Sequence, residues 1–398
     1  MSSFARISFR RFFSMSALED RCVPDAGLAD SETIKIPDAP TTYERDERTA
    51  GPYAAETAEV IELLLEPPVV VPAHAKRYAV GSGAGANALV NIYDAKTNAI
   101  FSTVTPFGTD YTGGVRVAVA DVTGDGVDDL IAATATGAGR VKVFDGATGA
   151  TLADFTPWSK STGGAFVAAA DVTGNGRADV VVGSGAGVAP EVRVYEGEAI
   201  NVKRTIVTAP TAVHTFTPTG ASSAFGVRVA AGDLNGDGKA EVVTGSKSSV
   251  YANTLSLVHK NETHYAVGTG PRTVVSASPI QFSPANDTAG VFVAVGDYSG
   301  TGRNDVAIGY VANKMARIRV VNGVDKKTRV MDAFSFVAGP DGGVAVAMKD
   351  VSNDGKADVI AAGAFGTSIV RILGGGSGGL MASFTAFSSS YQGGVFVG

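Results

Sequence analysis

The sequence is short of cysteine, of aromatic side chains and of long apolar runs, and each shortage removes a class of protein. Cys22 is the only cysteine in 398 residues, so no intramolecular disulfide can form and stability must come from packing, backbone pairing or metal. The greasiest stretch, Val60 to Val71, is broken by Glu62, Glu66, Pro67 and Pro68, which excludes a transmembrane helix. Positive charge is short as well, with 33 Lys and Arg against 39 Asp and Glu and a net charge of −6. That balance argues against a nucleic-acid partner, because phosphate binding needs a basic patch. No His-Glu-x-x-His and no Cys/His pair occurs, which removes two common catalytic signatures. What is plentiful is glycine, at 50 residues, beside a 45% hydrophobic share, which describes a turn-rich chain able to bury a core.

The chain divides near residue 76. Residues 1–21 interleave Arg6, Arg10, Arg11 and Arg21 with Phe4, Phe9, Phe12 and Phe13, the composition of a targeting leader. As a secretory signal its apolar stretch is short and reaches Glu19 at once, and the Arg10-Arg11 pair resembles a twin-arginine signal with the same shortfall. The run from Leu18 to Pro24 resembles the end of short Arg/Phe leaders on large surface and secreted proteins of some environmental bacteria. That resemblance implies an extracytoplasmic, secreted or cell-surface location. Residues 22–76 hold eleven Asp and Glu, four Lys and Arg and seven prolines, too little apolar surface to fold alone, and are expected to form a disordered acidic linker. Within it, Ala54 to Leu65 has the composition of a short helix that Pro67-Pro68 stops.

From residue 77 onward the sequence repeats. One nine-residue phrase occurs five times, starting at Asp121, Asp171, Asp233, Asp297 and Asp350, at intervals of 50, 62, 64 and 53 residues. A short β-type run precedes each phrase, as in Val115 to Ala118, and an apolar run follows it, as in Leu130 to Ala133. A third, alternating strand comes next, then a fourth ending in an aromatic at Phe155, Phe216, Phe282, Phe334 and Phe384. Five four-stranded units are explicit. A sixth is split between the ends: Tyr78 to Gly81, Val90 to Tyr93 and Val104 to Phe107 supply three strands, and Gly393 to Gly398 supplies the missing first one. Residue 398 is therefore read as a natural end.

Repeats of this length point to an all-β, six-bladed β-propeller of four-stranded antiparallel blades, closed by the C-terminal strand pairing into the first blade. The blades fall at about 77–107 plus 393–398, 113–158, 163–219, 225–284, 289–337 and 342–387. The turns joining strands one to two and three to four are expected on one face. The other turns and the blade linkers, such as Ser159 to Thr162 and Lys247 to Thr254, are expected on the opposite face, where ligand is sought.

The phrase carries the chemistry. Position 1 is Asp121, Asp171, Asp233, Asp297 or Asp350, and position 3 is Thr123, Thr173, Asn235, Ser299 or Ser352. Position 5 is Asp125, Asn175, Asp237, Thr301 or Asp354, and position 9 is Asp129, Asp179, Glu241, Asp305 or Asp358. Gly at position 6 in all five copies permits a turn that would bring the carbonyl of position 7 (Val127, Arg177, Lys239, Arg303 or Lys356) onto the same centre. The donors are all oxygen, which selects a hard cation, and up to five calcium ions are expected. The flanks are strands and no Glu stands at position 12, so an EF-hand is ruled out. Thirteen of the 39 acids occupy positions 1, 5 or 9, a density that repels itself without a cation.

The strand, acidic loop, strand and Gly-Ser-Gly-Ala-Gly turn (81–85 and 183–187), with Phe225-Gly226 and the run from Gly185 to Pro190, resemble the FG-GAP or VCBS repeats of integrin α-subunit propellers and many bacterial surface proteins. The resemblance covers 77–398 and implies calcium in the loops and a role in adhesion or ligand recognition; some family members sit in carbohydrate-active enzymes. The chain departs from the integrin pattern in its six blades, its loopless closing blade and Thr301 at an acidic position. The Gly-Ser-Gly-Ala-Gly runs precede strands, not helices, so they read as hairpin turns and not as phosphate loops. His259 and His264 sit in an expanded loop and read as solvated. The expected function is a calcium-stiffened, monomeric binding or adhesion module for a protein or polysaccharide ligand. It is not expected to be an enzyme; the alternative is a lyase or hydrolase on a propeller scaffold.

Overall fold

The computed structural model describes residues 76–398 except 86, 201–204, 248, 259–271, 282–289, 314, 338–342 and 389. The leader, the linker, Phe282, His259 and His264 lie outside the described residues. Valine-rich runs alternating every second residue pair into six four-stranded antiparallel sheets. The second blade is β4 (Val115–Ala120), β5 (Asp129–Thr134), β6 (Gly139–Phe144) and β7 (Thr151–Trp158). The third is β8 (Ala165–Ala170), β9 (Asp179–Ser184), β10 (Val192–Tyr195) and β11 (His214–Phe216), with a one-turn helix α1 (Gly197–Ile200) after β10. The fourth comprises β12 (Arg228–Gly232), β13 (Glu241–Gly245), β14 (Val250–Val258) and β15 (Arg272–Pro279). The fifth comprises β16 (Phe292–Gly296), β17 (Asp305–Ala312), β18 (Met315–Val321) and β19 (Arg329–Val337), and the sixth β20 (Val344–Lys349), β21 (Asp358–Gly363), β22 (Ile369–Leu373) and β23 (Leu380–Thr385).

The remaining sheet joins the two ends of the propeller. Its order is β24-β1-β2-β3, from β24 (Val395–Val397), β1 (Arg77–Ser82), β2 (Val90–Asp94) and β3 (Ile100–Val104). Val80 faces Val397, Gly81 faces Phe396 and Ser82 faces Val395. Beyond that register, the Ala79 and Gly398 backbones exchange hydrogen bonds of 2.7 and 3.0 Å. The fold is thus a six-bladed β-propeller closed by its C-terminal strand.

Blades pack face to face, so the two sides of each inner strand meet different neighbours. Val115 and Val117 of β4 cluster with Ala79 and Val90 of the closing blade, while Ala118 clusters with Ala165, Val167 and Val180 of the third. The entry to the inner strand needs glycine. Gly164 has φ +67°, and a β-carbon there would lie 1.9 Å from the Thr134 carbonyl oxygen.

Two local expectations fail. The outer strand of the closing blade, expected at Val104 to Phe107, lies at Ile100–Val104 and stops there, because Pro106 has no N–H to extend the ladder; Phe107 packs edge-on to Tyr111 at 5.6 Å. The turn expected over Lys247 to Thr254 is shorter, since β14 begins at Val250 and pairs with β13 from the Gly245–Val250 position onward. Among the described residues no helix is long and apolar enough to cross a membrane.

Candidate functional site: an arc of five acidic loops

Each nine-residue phrase connects the first and second strands of a blade. Its position-1 carboxylate organises the turn. Asp121 accepts the N–H of Gly124 at 2.6 Å and of Gly126 at 2.8 Å, and Asp171, Asp233, Asp297 and Asp350 accept the position-6 N–H at 2.7, 2.9, 2.7 and 3.3 Å. Position 6 is glycine because its φ lies between +77° and +84° in the five loops. Position 5 closes a second small turn: Asp125, Asn175, Asp237 and Asp354 each accept the N–H of position 7 at 2.8 to 3.0 Å. In the 297 loop the Thr301 hydroxyl donates instead to the Arg303 carbonyl at 3.4 Å.

Position 9 lies buried under the loop. Asp129 Oδ2 accepts the N–H groups of Val122 (2.8 Å) and Thr123 (2.9 Å), and its Oδ1 accepts the Gly146 N–H (2.7 Å) from the turn between β6 and β7. Asp179 repeats this with Val172, Thr173 and Gly197, and Asp358 with Val351, Ser352 and Gly375. Asp305 accepts from Ser299 N–H and, at longer range, from Gly323; Glu241 accepts from Leu234 N–H and the Asn235 amide. Position 9 therefore pins the loop to the turn after strand three in four of the blades, which places both turns on one face there; the described partners of Glu241 lie in its own loop and in β14. Sequence spacing gave it a ligand's role and missed this one. Burial pushes the Asp129 carboxyl up to about 6, against the pull of its three N–H donors and with Asp125 adding to the rise; Asp179, Glu241 and Asp305 are raised chiefly by burial too.

Position 3 bridges acids in three loops. The Asn235 amide donates to Asp237 (3.1 Å) and Glu241 (2.6 Å), Thr123 Oγ donates to Asp121 (3.3 Å), and Ser299 Oγ donates to Asp305 (2.6 Å). Among the described residues, no three of His, Cys, Asp and Glu come together as a ready metal cluster. The donor set still fits a hard cation in kind, because it is all oxygen and a carboxylate has about four acceptor sites, more than the backbone takes here. A bound calcium would draw its charge mainly from positions 1 and 5 and complete its shell with position 3, the position-7 carbonyl and water.

The loops are also joined to one another. The position-8 N–H of each later loop donates to the position-1 carbonyl of the loop before: Ala178 to Asp121, Ala240 to Asp171, Asn304 to Asp233 and Ala357 to Asp297, at 2.8 to 3.0 Å. The position-7 side chains follow the same path. Arg177, Lys239, Arg303 and Lys356 lie against Gly124, Gly174, Gly236 and Gly300 of the preceding loop, where a β-carbon would stand 2.7 to 3.1 Å away. The arc opens at the closing blade, which has no such loop. There Lys76 Nζ pairs with Asp350 at 2.7 Å, while Lys349 Nζ (2.7 Å) and the Arg77 N–H (3.1 Å) reach Asp128. Sequence reasoning passed over this coupling, yet a sign of it was readable. The first phrase alone has Val127 where the others have Arg or Lys, and alone has an acid, Asp128, at position 8.

One literal Gly-x-Ser-x-Gly occurs, at residues 375–379. It is the turn between β22 and β23, with Ser377 Oγ donating to the Gly374 carbonyl at 3.3 Å, and so lacks the strand-turn-helix setting of a nucleophile elbow.

Two family models match the sequence: the FG-GAP repeat over residues 225–258 and the FG-GAP-like repeat over residues 121–182. The second match spans the first two acidic loops, and the first runs from Phe225-Gly226 to the end of β14. No curated protein matches the chain.

Proposed function

Because the chain is an FG-GAP repeat protein, we propose that it is an extracytoplasmic propeller that takes up calcium in its acidic loops and binds a protein or glycan ligand without transforming it. The observation that carries the calcium reading is the recurrence, five times on one face, of an all-oxygen turn whose acids are bridged by N–H and O–H donors alone, with no sulfur or imidazole. A scaffold whose loops are chained from blade to blade suits binding, since ions that stiffen five loops stiffen the shared face. Catalysis has less to work with there, because the buried position-9 carboxylates accept hydrogen bonds on both oxygens.

The test is a glycan and protein-partner array run on the full chain in calcium and in EDTA. Retention of a partner in calcium that is lost in EDTA is the expected result. Release of shortened or unsaturated glycan products from the array would overturn the binding reading in favour of an enzyme.

A further inference from the structure

Five of the six inner strands carry a large side chain at the end away from the acidic loops. Six positions are equivalent by register, each opposite a Gly or Ala of the second strand: Phe396 faces Gly81, Arg116 faces Ala133, Phe166 faces Gly183, Arg228 faces Gly245, Phe292 faces Gly309 and Ala345 faces Ala362. Around the ring the order is Phe, Arg, Phe, Arg, Phe, Ala. These residues line one end of an axial cavity of about 130 Å³ whose walls are the six inner strands. That is more room than one water needs, whose share of liquid volume is about 30 Å³.

Arg116 lies over Phe166 at 3.7 Å and near Phe396 at 5.4 Å; Arg228 lies 5.0 Å from Phe166 and 5.1 Å from Phe292. Phe292 stands 6.5 Å from Phe166 and 6.3 Å from Phe396. The Arg116 Nη1 donates to the carbonyls of Gly163 and Ala165 at 2.8 and 3.0 Å. Its Nε is buried and meets no acceptor among the described residues. Among the described residues the cavity wall contains no Asp or Glu. The acidic loops begin at Asp121, five residues along β4, roughly 17 Å away at the rise of a strand and beyond a Debye length of about 8 Å. Burial first, and the charge of Arg228 second, push the Arg116 guanidinium down to about 9, the direction expected of a cation that lacks a counter-charge.

We propose that this end of the axial channel is a binding site for a carboxylate carried on a ring or short apolar body, gripped by the Arg116 guanidinium. A guanidinium suits a carboxylate because its N–H donors carry the opposite charge. The phenylalanine rings supply apolar walls for the body, and Ala345, a methyl group where the alternation would put a second long side chain beside Phe396, leaves the opening through which it enters. Arg116, Arg228 and Phe292 keep partial exposure, so solvent reaches the layer. The site deepens the binding reading by naming a ligand chemistry. It is tested with a free small anion, so a negative result here leaves the chelator-dependent array standing.

The experiment is thermal unfolding and calorimetric titration of the calcium-replete full chain with benzoate, and in parallel with inorganic sulfate. Benzoate is expected to stabilise saturably and sulfate to bind more weakly. Arg116→Gln should weaken benzoate roughly tenfold or more, the scale of a lost charge-assisted contact. Ala345→Phe, which keeps both arginines and fills the gap, should abolish the binding while the protein still unfolds cooperatively. No saturable benzoate binding to the wild type, equal binding of sulfate, or binding unchanged in both variants would each overturn the proposal.

Discussion

Five blades of this propeller carry an acidic loop and the sixth does not, and the two kinds of blade are held by different means. In the five, position 1 organises the loop; in four of them position 9 pins it to the blade's other turn, and in the four after the first a backbone N–H with a basic side chain ties it to the loop before. At the closing blade lysines stand where a loop would be: Lys76, just before β1, on Asp350 and Lys349, at the end of β20 in the sixth blade, on Asp128, at the two open ends of the arc. Its integrity rests on β24, three strand residues paired with β1. Protein cations thus occupy the ends of the acidic arc, and a strand replaces the loop as the fastening.

The sharpest way to break the comparison is to remove that strand. Deleting residues 393–398 strips Val395, Phe396 and Val397 from the interior and leaves β1 as an unpaired inner edge. Side-chain burial alone amounts to about 5 kcal/mol or more. Loss of a cooperative melt, or aggregation in size-exclusion chromatography, is expected. A truncated protein that melts and elutes like the full chain would show that the ring does not depend on closure.

Within the five, Asp129→Ala should cost more than Asp121→Ala when both are measured in EDTA. Removing the Asp129 carboxylate leaves three N–H groups without acceptors, two of them buried, for about 3 kcal/mol or more, whereas the loop around Asp121 is open enough for water to replace the lost acceptor. Urea midpoints of the two variants decide it, and equal midpoints would remove the pinning role of position 9.

The fold was legible because its signals repeat. Five copies of one phrase marked five blades, and the run from Val395 to Val397, of first-strand type, supplied the strand that the Tyr78 to Phe107 unit lacked. The turn chemistry of positions 1, 5 and 6 was legible too, being local. The coupling between loops was not, because it joins residues such as Ala178 and Asp121 across a blade boundary and shows in sequence only as a basic residue at position 7. The Arg/Phe alternation of the channel was hidden for the same reason: Arg116 and Phe166 look like ordinary strand positions until the ring sets them 3.7 Å apart.

Calcium should act on the five blades through mass action, adding about 2.7 kcal/mol per loop at a hundredfold excess over its dissociation constant. EDTA should therefore lower the melting temperature, and superimposable melts would count against the metal. Among the loops, Asp121→Ala should reduce total uptake more than Asp297→Ala, because Asp125 gives the 121 loop a second exposed acid where the 297 loop has Thr301. Calorimetric titration showing the reverse would overturn that order.

The smallest effect should come from the lysine that ends the arc. Lys76 is half exposed, so its pair with Asp350 contributes less than about 1 kcal/mol to stability, and Lys76→Met should barely move the melt. Its effect on calcium should be opposite in sign and easier to see. Lys76 Nζ sits 2.7 Å from Asp350 Oδ2, the position-1 oxygen that a cation in that loop would use, and pulls the Asp350 carboxyl below the usual range against the effect of its burial. Removing the ammonium frees that oxygen, so the 350 loop should bind calcium more tightly in the variant at low salt. The gain should shrink as salt screens the exposed pair. Titration of Lys76→Met and wild type at two ionic strengths measures both; weaker uptake in the variant would mean that Lys76 builds the loop and does not compete for it.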